Sequence, residues 1–197
     1  MKKKMTWNKK FMDIAKDVAQ WSKDKSTGVG AVIVKHNRVI ATGYNGFPEH
    51  IDDEKPERHE RPEKYSWTVH AEENAIISCA RIGVSTQDAV MYCTWFPCAG
   101  CARMLVNAGI KKIVCGQEPD LSNEKFGAEF KIVLEMLHEA DVDIEYELEN
   151  RIFKIDVTNV SESELALHIN KIAKSFKEKK DDVSFSCGCG KNCECND

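Results

Sequence analysis

His70-Ala71-Glu72-Glu73-Asn74-Ala75-Ile76 and, further on, Phe96-Pro97-Cys98-Ala99-Gly100-Cys101-Ala102 are the stretches on which the fold turns. Together they read H-x-E…P-C-x-x-C. One imidazole and two thiolates give a tetrahedral metal three donors. The fourth position is left for water, as a catalytic zinc site requires, whereas a structural site closes with a fourth protein ligand. Cys98 and Cys101 stand three apart at a predicted helix start, so both sulfurs turn to one side. The positive end of that helix favours thiolate over thiol, and Pro97 suits the approach to it. Glu72 lies two residues after His70 and need not touch the metal. A carboxylate there can take the proton that a metal-activated water gives up and pass it on, work that typically supplies about 10²–10⁴-fold in rate. Alone, C-x-x-C reads more readily as structural zinc or a redox pair, and a lone His-x-Glu carries nothing. Both at helix starts select the catalytic metal.

Outward from these motifs, helices are predicted over Val69–Ile82, closed by Gly83, and over Cys98–Asn107, closed by Gly109. Thr6 to about Asp24 is predicted as a helix, because Trp7, Phe11, Ile14, Ala15, Val18 and Trp21 recur at spacings of three and four with Thr6 as N-cap. Val29–Lys35 and Val39–Tyr44 predict a hairpin around His36-Asn37-Arg38. Glu49–Tyr65, charged and interrupted by Pro56 and Pro62, predicts an exposed loop. Strands at Ala89–Thr94, Ile110–Cys115 and Val142–Glu147 alternate with helices, the last over Lys125–Glu139. A helix, a hairpin and then alternating strands and helices predict a three-layer α/β/α domain around a mixed sheet, residues 1–150. Residues 151–180 read as an extension: a strand at Arg151–Val157, then a capping box at Ser161-Glu162-Ser163-Glu164. That box opens a helix with the apolar stripe Leu165, Ile169, Ile172 and Phe176. Residues 181–197 read as a flexible, Cys-rich tail.

The chain has 197 residues, 42% hydrophobic and 30% charged, enough for one well-cored domain with an appendage. A net charge of −4 and a pI near 5.9 argue against broad binding of nucleic acid but leave room for a local cationic pocket. The longest apolar runs, such as Val29–Val34, are strand length, so no membrane span is expected. Met1-Lys2-Lys3-Lys4-Met5-Thr6-Trp7 has no apolar segment behind its lysines and does not read as a secretory signal. Nine cysteines, an odd number, without such a signal point to a reducing, cytoplasmic setting and to metal before disulfides. In the tail, Cys187, Cys189, Cys193 and Cys195 form C-x-C-x₃-C-x-C, which could wrap a second metal, zinc or a softer ion such as copper(I). The alternative there is a redox-labile tail without metal.

From about Thr6 to Glu147 the chain resembles the deoxycytidylate (dCMP) deaminases of the cytidine deaminase superfamily. The resemblance rests on the two metal motifs, on Ser26-Thr27-Gly28-Val29-Gly30-Ala31-Val32-Ile33-Val34, on Gly43-Tyr44-Asn45-Gly46-Phe47-Pro48 and on Asn107-Ala108-Gly109-Ile110-Lys111-Lys112-Ile113-Val114. It implies a five-stranded mixed sheet and one zinc per subunit, on His70, Cys98 and Cys101, with Glu72 as proton carrier. It further implies hydrolysis of dCMP to dUMP and ammonia, the supply step for dTMP synthesis. It implies a homo-oligomer, commonly a hexamer, and regulation by dCTP and dTTP. Asn45 is implied as a contact to the substrate sugar and Arg81 as a residue near the bound nucleotide. Arg81 follows His70 by about three helical turns, so both can share a face. Lys23, Lys25 and the Gly43–Gly46 turn fall near the implied effector region, where a triphosphate with Mg²⁺ needs cations and backbone donors.

Two departures stand out. Pro119 occupies the place where several members carry an aromatic that holds the substrate. His50 and His59 lie in the loop where some members bind a second zinc, but without a cysteine they read as solvated histidines. The rival readings are a deaminase of dCTP or CMP, an RNA adenosine deaminase, a free-cytidine deaminase and a zinc-stabilised interaction protein. The RNA enzyme is opposed by the acidic charge, the free-cytidine enzyme by His70 where cysteine is usual, and the interaction protein by retention of Glu72.

Overall fold

The computed structural model describes residues 6–148 and 151–155. Its middle layer is a mixed sheet of six strands: β1 (Gly30–Lys35), β2 (Arg38–Tyr44), β3 (Val90–Cys93), β4 (Lys112–Cys115), β5 (Asp143–Leu148) and β6 (Arg151–Lys154). The spatial order is β2-β1-β3-β4-β5-β6. The β1–β2 hairpin turns at His36 and Asn37, both at positive φ (51° and 58°), as a two-residue turn matched to strand twist demands. β1 runs antiparallel to β2 and β3, the β3–β4–β5 stretch is parallel, and β6 folds back antiparallel on β5. Ile33, Met91, Ile113 and Ile144 stand in one register row, each at most 1% exposed. Apolar rows of this kind persist where both faces of a sheet are covered.

One face is covered by α1 (Trp7–Ala19), capped by Thr6, whose hydroxyl oxygen accepts the Lys9 N–H at 3.3 Å. Phe11, Met12, Ala15 and Val18 pack there against Val32, Val34, Tyr92 and Val114. The other face carries α3 (Ala71–Ile82), α4 (Ala99–Asn107) and α5 (Gly127–Glu139); a short α2 (Lys64–Trp67) lies in the connection before α3. α3 ends where Gly83 takes a left-handed conformation, φ 71°. β2 meets α3 at Gly43, where a Cβ would come within 2.3 Å of the Ala71 carbonyl and 2.4 Å of the Ala75 nitrogen. Only a bare Cα there lets the first turn of α3 settle onto the sheet.

Several sequence expectations are corrected. The strand expected from Arg151 is present as Arg151–Lys154 and pairs with β5, so the mixed sheet has six strands where the resemblance implied five. α1 stops at Ala19 instead of reaching Asp24, and Asp24 Oδ1 then accepts the backbone N–H groups of Ser26 (2.8 Å) and Thr27 (3.2 Å). Such an Asx turn competes with helix. The charged connection is not all loop, since it holds a 3-10 turn at Pro56–His59 as well as α2. The expected helix from Ser161 to Phe176 and the cysteines at 187, 189, 193 and 195 lie outside the described residues.

Candidate metal centre

The N-terminal ends of α3 and α4 meet at one corner. His70 is the N-cap of α3 and Cys98 the N-cap of α4, both with extended backbone. His70 Nδ1 is 3.5 Å from Cys98 Sγ and 3.3 Å from Cys101 Sγ. Donors bound to one tetrahedral zinc at about 2.0–2.1 Å (nitrogen) and about 2.3 Å (sulfur) lie roughly 3.6 Å apart. The observed spacings therefore fit one shared ion, and the donor set of one imidazole and two thiols suits zinc. Among the described residues, no other group of three or more His, Cys, Asp or Glu side chains is gathered this way.

The packing around His70 holds it in place. The backbone of Val69 pairs with that of Gly46, with N–H to O distances of 2.8 and 3.1 Å. Asn74 donates its backbone N–H to the His70 carbonyl (2.9 Å) and its Nδ2 to the Tyr44 carbonyl (2.7 Å), so the motif asparagine ties α3 to β2.

Without a cation, the three donors form a charged couple. The hydrogen bond from Cys101, aided by His70 and opposed by burial, pulls the Cys98 thiol down to about 3. The bond to Cys98 raises His70 to about 9. Cys101, facing the Cys98 thiolate and buried, is pushed up and keeps its proton. Such a set releases protons when a divalent cation binds.

Glu72 is 4% exposed and lies outside the donor group. Burial pushes its carboxyl above the usual range, with His70 acting in the opposite direction. A carboxyl raised by burial is suited to taking and returning a proton near neutral pH. Behind it, Cys93 and Cys115 stand side by side on β3 and β4, and burial with the neighbouring Glu72 keeps both as neutral thiols.

Neither Asn45 nor Arg81 is among the metal donors. Asn45 is buried at 7%, and its side chain serves the fold. Its Oδ1 accepts the Val29 N–H (2.7 Å), while Nδ2 donates to Asp24 Oδ2 (3.1 Å) and the Thr27 carbonyl (2.9 Å). Both donors are spent, and only a second lone pair on Oδ1 is left for a sugar hydroxyl. Arg81 sits in the last turn of α3, roughly 16 Å along the axis from His70 at 1.5 Å per residue. Its guanidinium is exposed and pairs with Glu49 at 2.8 Å.

The residues of the expected effector region are engaged as follows. Gly43 packs against α3, and the Gly46 N–H is given to the Val69 carbonyl. Lys23 is paired with Asp53 at 2.8 Å. Lys25 flanks a depression with Ser26, Pro56, His59 and Glu60. His50 is exposed as expected, but His59 is half-buried, stacked on Phe47 at 4.8 Å with Nε2 against the Asp53 carbonyl (2.6 Å). Pro119 is buried, so its ring is not presented to solvent.

Three residues that the sequence reading missed shape the site's surroundings. Asp24 gathers Ser26, Thr27, Asn45 and Lys64, and the Asp-x-Ser-Thr run is a turn signature that could have pointed to it. Lys64 and Glu129 act through partners far along the chain, and no local spacing marks them.

A His-x-Glu helix start facing a Cys-x-x-Cys helix start on a mixed sheet, with a buried carboxyl beside them, defines a hydrolytic metal centre of the zinc type. The chain belongs to the cytidine and deoxycytidylate deaminase family, whose zinc-binding region matches residues 5–117. A protein of Aliivibrio fischeri described as an uncharacterized deaminase is 38% identical over 138 residues, 70% of this chain and 91% of that protein. The probable deoxycytidylate deaminase of Caenorhabditis elegans is 43% identical over 114 residues, 54% of this chain and 55% of that protein. The deoxycytidylate deaminase of Homo sapiens is 34% identical over 116 residues, 56% of this chain and 64% of that protein. The chain thus spans between half and two thirds of the length of these two deoxycytidylate deaminases. The dCMP deaminase of cyanophage S-TIM5, solved with dCMP and dUMP, shares the fold with a TM-score of 0.58 at 27% identity, covering 71% of this chain and 95% of the phage protein.

Proposed function

We propose that this chain hydrolyses dCMP to dUMP and ammonia at the corner where α3 and α4 meet. The observation that carries the proposal is the convergence of His70 Nδ1, Cys98 Sγ and Cys101 Sγ beside Glu72, whose carboxyl is raised by burial above its ordinary value. His70, Cys98 and Cys101 hold zinc, which when bound supplies an activated water. Glu72 takes the proton that the attacking water gives up and delivers it to the ring nitrogen beside the amine-bearing carbon. It then takes the remaining proton of the added hydroxyl and passes it to the amine as the carbon–nitrogen bond breaks, leaving the new carbonyl of dUMP and free ammonia. Cys93 and Cys115, neutral behind it, add no charge that would compete for that proton.

The same reading carries an oligomer of identical subunits, six by family resemblance, supported by the exposed Ile77 and Ile82 of α3 and by Trp95. It carries dCTP with Mg²⁺, and dTTP, as effectors near Lys23 and Lys25. A depression lined by Trp21, Lys23, Tyr44, Phe47 and His59 supports this, since aromatic rings and a cation suit a base and a phosphate. A cytoplasmic setting is supported by Cys79, Cys93, Cys98, Cys101 and Cys115, all free thiols. Among the described residues, no helix is long and apolar enough to cross a membrane.

Ammonia release from dCMP, CMP, deoxycytidine and dCTP, offered in parallel to the zinc-loaded protein with and without added dCTP, tests the reading. Preference for dCMP supports it. Preference for CMP or dCTP keeps the chemistry and overturns the substrate, a result to which the missing aromatic at Pro119 lends a reason. Inertness towards all of them with zinc bound turns attention to an adenosine in RNA or to a non-catalytic role. A rate curve unmoved by dCTP removes the effector.

A further inference from the structure

The first turn of α4 carries both sulfurs of the metal corner, yet it has no acidic residue of its own. Helix starts leave backbone N–H groups without partners inside the helix. In α4, the Cys101 N–H goes to Cys98 Sγ at 3.4 Å and the Ala102 N–H to the Cys98 carbonyl at 2.9 Å. The Ala99 N–H goes to Glu129 Oε1 at 2.8 Å, a carboxylate thirty residues further along the chain, on α5. The next residue, Phe130, sets its ring edge-on to Phe96 at 4.9 Å. α5 therefore grips the Phe96-Pro97-Cys98-Ala99 stretch on both sides of the Cys98 N-cap. It does so from beyond residue 117, where the family match ends.

We infer that Glu129 is a positioning residue for the metal donors, acting through the Ala99 N–H on Cys98. The bond fixes where the first turn of α4 begins, and so where Cys98 Sγ and Cys101 Sγ stand relative to His70 Nδ1. Outer partners of metal ligands work this way, and removing one typically costs about 10–100-fold in metal affinity or activity.

The inference rests on the metal-centre reading above, and its test is separable from the substrate question because it reads metal binding without nucleotide. Zinc affinity is measured by competition with a chromophoric chelator for the wild type, Glu129→Ala and Glu129→Gln. The sulfur-to-metal absorption band of the cobalt(II)-loaded proteins is recorded alongside. Glu129→Ala is expected to bind zinc about 10–100-fold more weakly and to shift the cobalt band. Glu129→Gln keeps an oxygen acceptor for Ala99 and is expected to restore most of the affinity and the wild-type band. Unchanged affinity and an unchanged band in Glu129→Ala overturn the inference. So does a Glu129→Gln variant as impaired as Glu129→Ala, or, if Glu129→Ala fails to fold, a well-folded Glu129→Gln with a displaced band. A wild type that binds no zinc defeats the metal-centre reading itself.

Discussion

The metal corner and the cluster around Asp24 are both built from polar side chains drawn from distant parts of the chain, and they use them in opposite ways. At the corner, His70, Cys98 and Cys101 aim their donor atoms at one another across a gap the size of an ion. In the cluster, Asp24 accepts from Ser26, Thr27, Asn45 and Lys64, Lys64 also donates to Ser26 Oγ at 2.7 Å, and Asn45 spends both its donors internally. The Asp24 and Lys64 side chains are only 8% and 12% exposed. Burial works to raise the Asp24 carboxyl, but Lys64, the Ser26 hydroxyl and the two backbone N–H groups outweigh it and hold it at about 2. A site whose donor atoms converge on one point can bind an ion, whereas one whose donors are engaged with one another is holding the chain together. The cluster pins the segment before β1, the end of β2 and α2 to one another, and β2 in turn seats α3.

The contrast is broken most severely by Cys101→Ala. This variant is expected to lose bound zinc and all turnover while staying folded, read by metal analysis and circular dichroism. Full zinc content in it would move the site elsewhere. Next comes Asp24→Ala, which leaves the Lys64 charge buried without its partner. Loss of one partner of such a pair costs about 3–5 kcal/mol, measured by denaturant unfolding, with activity falling only as the folded fraction falls.

The pH dependence sharpens the same point. The Asp24 carboxyl is lowered from 3.8 to about 2, so its contribution is complete above the unfolded value and is lost as pH falls through the folded one. Asp24→Asn is therefore expected to show a flatter loss of stability than the wild type between about pH 4 and pH 2. An acid limb as steep as the wild type's would remove Asp24 from that role.

Asn45→Ala is smaller. Leaving its buried partners without hydrogen bonds costs about 1–3 kcal/mol and is expected to leave the KM for dCMP unchanged in the folded enzyme. A raised KM with unchanged stability would restore Asn45 as a sugar contact. Smallest is Arg81→Ala, which removes one exposed pairing with Glu49. Its unfolding midpoint and KM are expected to stay at wild-type values, and a KM for dCMP raised severalfold would return Arg81 to the substrate.

How far the sequence could be read follows the same division. The donor residues were legible because metal chemistry demands particular residue types, and helix geometry demands particular spacings. His70, Glu72, Cys98 and Cys101 satisfy both within short stretches. The layers were legible from period alone, as in Phe11, Ala15 and Val18 or the β1–β2 hairpin. The structural part of Asn45 was not legible, because an asparagine beside a glycine in a turn looks the same whether its amide faces a ligand or the backbone of Thr27 and Val29. Arg81 shared a face with His70 by period, but period says nothing of the rise that separates them. Gly43 looked like turn chemistry, and its reason, the approach of Ala71 and Ala75, lies on another element. Glu129 could not be found at all, because its partner is a backbone N–H thirty residues away and carries no residue type.

The most direct test compares wild type with Glu72→Gln at matched zinc content, reading ammonia released from dCMP. The amide keeps the shape of the buried side chain but cannot carry the proton. The account predicts that both proteins bind zinc alike and that the variant is slower by about 10²–10⁴-fold, the usual worth of such proton transfer. A variant that deaminates dCMP at the wild-type rate would contradict the assignment of the proton to Glu72, and with it the account of this corner as a hydrolytic deaminase site.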